Sequence, residues 1–274
     1  MPDQVDSAKV LAQLAGGATL VLQGLHRLWP PLIDFVRDAV DDLGHPVQAN
    51  AYITPPGSRG FDAHYDVHDV FVLQVSGEKR WMVHEPVHPD PLPSQPWTDH
   101  RDAIARRTAG SPVIDAVLGA GDALYLPRGW VHSAQSLDST SIHLTIGVSP
   151  LTGVDVMRAV VETLAGDHDF RKSLPMGIEV TDPDEMAAIA SKIMATLADT
   201  VRDRGAELDA GAARRLAHRH AERTRPVAVR PLATLVAAEA AATTRVRWRR
   251  GLPGTIEEAG ERVKLRLPDR TMTF

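Results

Sequence analysis

Cysteine occurs nowhere in the 274 residues. That excludes disulfides, thiolate zinc sites and cysteine nucleophiles, and leaves histidine and carboxylate side chains as the available metal ligands. No apolar run approaches the roughly 18 residues that a membrane-spanning helix needs. The opening residues, Met1-Pro-Asp-Gln-Val-Asp6, carry neither a basic segment nor an apolar core, so no signal peptide is expected and the cytoplasm is the expected compartment. What is present is ordinary for a packed globular chain, with 43% hydrophobic and 24% charged residues.

The net charge of −5 conceals an asymmetry. Residues 201–274 hold 16 Lys and Arg against 9 Asp and Glu, a net of +7, and the rest of the chain holds 14 against 26, a net of −12. A basic C-terminal part on an acidic remainder suits contact with nucleic acid or a ribonucleoprotein, although an arginine-rich solvated helical surface would give the same count.

The order of local signals suggests three regions. Asp6-Ser7 caps a short helix ended by Gly16-Gly17, and Ala18–Leu22 reads as a strand. Pro30-Pro31 opens a helix with Leu32, Phe35, Val36, Val40 and Leu43 at helical spacing, closed by Gly44. Strands follow at Asn50–Thr54, Val70–Val75, Lys79–His84, Val113-Ile114, Asp122–Leu126, Trp130–Ala134 and Ser141–Val148, separated by Gly and Pro turns. Gly77-Glu78 between two of them predicts a β-hairpin. Residues 85–112 show no period and read as a long excursion, either a mobile lid or substrate-facing loop or plain irregular surface. Short, evenly spaced strands imply a double-sheet jelly roll over 1–150. Beyond Pro150, Val154–Ala165, Pro183–Val201 and Ala210–Arg223 are alanine-rich and helical by pattern, a region of 151–225 that could pair with a second copy. In 226–274, a helix at Pro231–Ala242 and a hairpin at Val263–Phe274 suggest a winged-helix module, cut short within its last strand.

The chemistry concentrates in His64-Tyr65-Asp66. In an extended chain, residues i and i+2 share a face, so one imidazole and one carboxylate converge. That is two-thirds of a 2-His-1-carboxylate triad for non-haem Fe(II). Three letters alone mean little, since a second copy, His88-Pro89-Asp90, lies in a proline-rich run. His132, following a strand and the Pro127-Arg-Gly129 turn, can complete the triad and leave positions for a bidentate 2-oxo acid and O2. A 2-oxo acid with a distal carboxylate needs a buried cation, which Lys79 could supply, although a solvated turn lysine is the common case. His68, His84, His88 and His100 read as surface or supporting groups, and His143 as a neighbour of the site.

These segments, from Asn50 through His64-Tyr-Asp66, Asp69–Gln74, Gly77–Trp81 and Gly121–His132, resemble the JmjC-type ribosomal oxygenases of the cupin superfamily. The resemblance is strongest over 50–150 and implies Fe(II)- and 2-oxoglutarate-dependent hydroxylation of a histidyl or arginyl side chain of a ribosomal protein. It implies His64, Asp66 and His132 as iron ligands, Lys79 at the distal carboxylate of 2-oxoglutarate, Asn50 lining the cosubstrate pocket and Tyr52 beside the substrate side chain. It also implies homodimerisation through the helical region and a C-terminal winged helix. Lysine rather than arginine at position 79 places the chain nearer the histidyl-hydroxylase group. Two departures stand out: the part before the barrel is short, and Gly147 stands where serine is common. Two other functions fit the same residues, an oxygenase of a small molecule or peptide and a catalytically inactive dimeric binding protein.

Overall fold

The computed structural model describes residues 5–226 and, beyond them, 235, 236, 239, 251, 252, 254–260, 262–267 and 270–273. Two compact units divide the chain, the first built mainly from residues before Leu151 and the second mainly from those after Pro150.

The first unit opens with α1 (Ser7–Ala15), whose N-terminal Ala8 and Lys9 amides donate to the Asp6 carboxylate. After β1 (Leu20–Leu22) comes α2 (Pro30–Leu43), ended by Gly44 at φ 69°. The strands are β2 (Val47–Thr54), β3 (Asp69–Ser76), β4 (Lys79–His84), β5 (Ile114–Leu118), β6 (Ala123–Leu126), β7 (Val131–Ser136) and β8 (Ser141–Val148). They form a five-stranded sheet in the order β1-β2-β8-β3-β6 and a three-stranded sheet in the order β5-β4-β7. Two antiparallel sheets face one another with strands that alternate between them, which is the expected jelly roll.

Alternation along the strands produces the layers. Val47 and Ala49 of β2 and Ile146 and Val148 of β8 face outward and pack under Leu32, Val36 and Val40 of α2. Phe35 and Leu43 share the apolar period of α2 yet remain exposed, because the sheet covers only part of that stripe. On the inner side, Val70 and Val72 of β3 meet Trp81 and Val83 of β4, closing the core between the sheets.

One expectation is corrected here. β3 and β4 are not a hairpin: β3 pairs with β8 and β6, and β4 pairs with β5 and β7. The Gly77-Glu78 turn carries the chain from one sheet to the other. Gln74 braces that bend, its side-chain amide donating to Ser76 O at 3.0 Å, Gly77 O at 3.2 Å and Ser141 Oγ at 2.9 Å. Gly77 has φ 65°, and a Cβ there would overlap the Thr140 carbonyl. A second correction concerns 85–112. That stretch holds a 3-10 turn (Trp97–His100) and α3 (Arg101–Thr108), and Ile104 of α3 packs with Tyr65 and Val131 in a third core.

The second unit contains α4 (Gly153–Leu164), capped reciprocally by Thr152 and Asp155, α5 (His168–Arg171) and α6 (Pro183–Arg223). The two helices expected over 183–223 are present, run together within α6 across a non-helical break at Arg204 (φ −133°, ψ 23°). Glu162 of α4 pairs with Arg215 and Arg219 of α6. The expected C-terminal hairpin is present as β10 (Arg262–Arg266) and β11 (Thr271–Thr273), with β9 (Thr255–Ala259) adding a third antiparallel strand. The helix expected at Pro231–Ala242 lies largely outside the described residues. Among the described residues no helix is long and apolar enough to cross a membrane.

Candidate metal centre

His64, Asp66 and His132 come together with one potential ligand atom each, all within 4.8 Å of one another. His64 and Asp66 lie outside the regular strands, in the loop between β2 and β3. An antiparallel bridge between His64 and His132, the second residue of β7, fixes the triad end of the loop, and another between Arg59 and Gln135 ties its earlier part to the same strand. Gly129 N donates to the backbone carbonyl of Asp66 at 2.9 Å, so the turn before β7 also holds the Asp66 backbone. The i, i+2 geometry expected of a strand is thus produced by one bridge and one turn. The second copy of the motif is elsewhere in role: His88 stacks on His100 at 4.7 Å, and Asp90, at φ 50°, pairs with Arg128 at 3.4 Å.

The imidazoles are oriented for ligation. His64 Nδ1 lies 2.7 Å from Asp62 O, and His132 Nδ1 lies 3.0 Å from Trp130 O. A carbonyl only accepts, so each Nδ1 carries the proton and each Nε2 presents a lone pair. His132 Nε2 is 3.7 Å from Asp66 Oδ2. Burial dominates at His132 and lowers its pKa, with Asp66 opposing, so the ring is held neutral, the form that binds a metal. Two imidazoles and a carboxylate, with no thiolate, suit Fe(II).

The triad opens into a cavity of about 450 Å3. Asn50 and Tyr52, on the inward face of β2, line it, as do Lys79, Trp81, His143 and Thr145. Lys79 is only 3% exposed, and its Nζ donates to Thr54 Oγ1 at 3.0 Å. Burial lowers its pKa to about 8. Among the described residues it has no carboxylate partner, so the expectation of a buried cation, rather than a solvated turn lysine, matches the structure. Asn50 accepts from Gly24 N at 2.9 Å, which assigns its oxygen and turns its amide donors elsewhere. Tyr52 stacks on His143 at 4.9 Å, and burial, then the Asp66 charge, push its phenol pKa up.

Three wall residues carried weaker or no signal in the sequence. His143 is buried, its pKa lowered to about 3 by burial and then by Lys79, and is therefore neutral. His143 Nδ1 and Trp81 Nε1 have no hydrogen-bond partner among the described residues. Trp81 could have been found from its place two residues after Lys79 on one strand face. Trp97 also lines the cavity, yet sits in a proline-rich run with no periodicity to flag it. At Gly147, a Cβ would come 3.2 Å from His68 Nε2 and from Gln48 Nε2. The imidazole and amide therefore crowd the space where a serine side chain would begin.

Residues 31–156 match the JmjC domain family model. The chain is 38% identical over 143 residues to a Drosophila persimilis protein named bifunctional lysine-specific demethylase and histidyl-hydroxylase NO66, over 48% of this chain and 19% of that protein. It is 37% identical over 143 residues to ribosomal oxygenase 1 of Danio rerio, over 50% of this chain and 26% of that protein. The matched stretch thus spans at most about a quarter of either relative. Among solved structures, the Escherichia coli ribosomal oxygenase YcfD in complex with cobalt and 2-oxoglutarate aligns at 20% identity and TM-score 0.42, over 65% of this chain and 46% of that one. Over residues 31–156, this chain is similar to JmjC domains.

Proposed function

We propose that this protein is an Fe(II)- and 2-oxoglutarate-dependent oxygenase that hydroxylates a histidyl or arginyl side chain of a ribosomal protein. The observation that carries the reading is the pairing, in one cavity, of a His64–Asp66–His132 triad with a buried lysine lacking an anionic partner among the described residues. With both groups bound, Fe(II) and 2-oxoglutarate supply O2-dependent insertion of one oxygen into an unactivated C–H bond, as 2-oxoglutarate becomes succinate and CO2.

The chain's own groups fit that chemistry. His64 and His132 would hold the metal through Nε2, and Asp66 through a carboxylate oxygen. Lys79 would pair with the distal carboxylate of 2-oxoglutarate, offsetting the cost of its own burial. Thr54 steers the ammonium, and Asn50, which lines the same cavity, would contribute to holding the cosubstrate. Tyr52, which lines the same cavity, would lie beside the substrate side chain. The relatives' names, ribosomal oxygenase and histidyl-hydroxylase, support the substrate class.

The second unit would serve assembly. α4 exposes Val156, Met157 and Val161, and α6 exposes Ile193 and Met194, surfaces suited to a second copy of the chain. The basic C-terminal region would meet a ribonucleoprotein, in the cytoplasm. The test is to incubate ribosomal proteins with the enzyme, Fe(II), 2-oxoglutarate and O2, then read each protein by mass spectrometry. One protein should gain a single oxygen atom on one His or Arg; oxidation of no ribosomal protein would overturn the substrate assignment.

A further inference from the structure

We propose that Phe61 and Trp97 form the wall that selects the substrate, admitting a flat, nitrogen-bearing side chain, guanidinium or imidazole, from a basic peptide. The inference rests on the oxygenase reading above and names the residues that would enforce its specificity.

Both rings line the same cavity as the triad and stand next to its first ligand. The Phe61 ring centroid is 5.7 Å from that of His64, and the Trp97 centroid is 6.1 Å from it. Phe61 is 53% exposed, a large apolar ring kept at the surface, and it meets Tyr52 edge-on at 6.3 Å. Asp62 lines the cavity beside them, whereas the one lysine or arginine among the lining residues, Lys79, is bonded to Thr54. Aromatic faces with an adjacent carboxylate attract a planar cation, give an aliphatic side chain contact area alone, and repel an acidic one.

Trp97 is held in place, as a specificity wall requires. The Arg101 guanidinium lies over its ring at 4.5 Å. Tyr65 Oη donates to Gln95 O at 2.9 Å, fastening the chain just before Trp97. Trp97 also packs against the small core of Tyr65, Ile104 and Val131. Tyr65 lies between two triad residues and Val131 precedes the third, so the wall is built onto the segments that carry the metal ligands. A ring anchored this way costs little further ordering when a substrate arrives.

The test uses the full chain loaded with Mn(II) and 2-oxoglutarate without O2, and fluorescence anisotropy of labelled lysine-rich peptides whose central residue is Arg, His, Leu or Glu. The Arg peptide, the His peptide or both should bind about tenfold tighter than the Leu peptide, the scale of one desolvated cation–π contact. Trp97→Leu and Phe61→Leu should each remove most of that preference, and Trp97→Phe, which keeps a ring face, should retain it. Equal binding of Arg, His and Leu peptides by the wild type, or a preference that survives both leucine variants, would overturn the proposal. Calorimetric titration with 2-oxoglutarate separates this from the underlying reading: a wild type that fails to bind it with Mn(II) overturns the oxygenase assignment itself.

Discussion

His64 and His132 exchange both of their backbone hydrogen bonds, His64 N to His132 O at 3.1 Å and His132 N to His64 O at 2.8 Å. The two ring centroids are thereby held 4.5 Å apart. The bridge places the loop histidine against β7 before any metal arrives, so ligation does not have to order the loop. His64→Ala, Asp66→Ala and His132→Ala should each weaken Mn(II) or Co(II) binding by at least about tenfold, since even groups that only support metal ligands are worth 10–100-fold. Calorimetric titration of each purified variant checks this, with circular dichroism confirming that the jelly roll is retained.

Lys79 yields a pair of opposed effects. Its pKa is lowered by burial from 10.5 to about 8, so the folded protein binds this proton less tightly than the unfolded chain does. Stability of the ligand-free protein should therefore rise as pH increases from about 8 to 10.5, by up to about 3 kcal/mol. Lys79→Met should flatten that rise and stabilise the ligand-free protein at neutral pH, because the buried charge is gone. The same variant should lose about 100-fold in 2-oxoglutarate affinity, the scale of a truncated buried charge pair. Denaturant unfolding across pH, paired with calorimetry, measures both. In the wild type, 2-oxoglutarate affinity should fall as pH passes upward through about 8, where Lys79 loses its proton.

Gly77 tests the passage between sheets. Its φ of 65° and the Thr140 carbonyl against its α-carbon leave no room for a side chain. Gly77→Ala should destabilise the protein by about 2–4 kcal/mol, from the left-handed backbone and the overlap together. The midpoint of urea unfolding, followed by far-ultraviolet circular dichroism, should fall accordingly.

Tyr65 links the metal loop to Gln95. Tyr65→Phe removes that hydrogen bond, about 1 kcal/mol, while leaving the core packing intact. Trp97 fluorescence should become more readily quenched by acrylamide, and metal affinity should fall by less than in the ligand variants.

The elements read from sequence were those whose signals are local. Asp6 capping α1, Pro30 opening α2 and Gly44 ending it all act within one turn. The apolar alternation of Val70, Val72 and Gln74 marked a strand but not its partner, because pairing depends on β6 and β8 far along the chain. That is why a sheet-to-sheet crossing read as a hairpin. α3 was missed because Ile104 is its one buried residue, too little to set a period. The triad was legible as residue types at a spacing. What lay beyond reading was the arrival of Trp97 at the cavity, a consequence of packing.

The most direct test of the account is succinate formation from 2-oxoglutarate with Fe(II), ascorbate and O2, followed by proton NMR without added substrate. The wild type should form succinate slowly, and the His64→Ala protein should form none above the enzyme-free control. Wild-type protein that binds metal and 2-oxoglutarate yet forms no succinate, or His64→Ala protein that forms it at the wild-type rate, would contradict the oxygenase assignment.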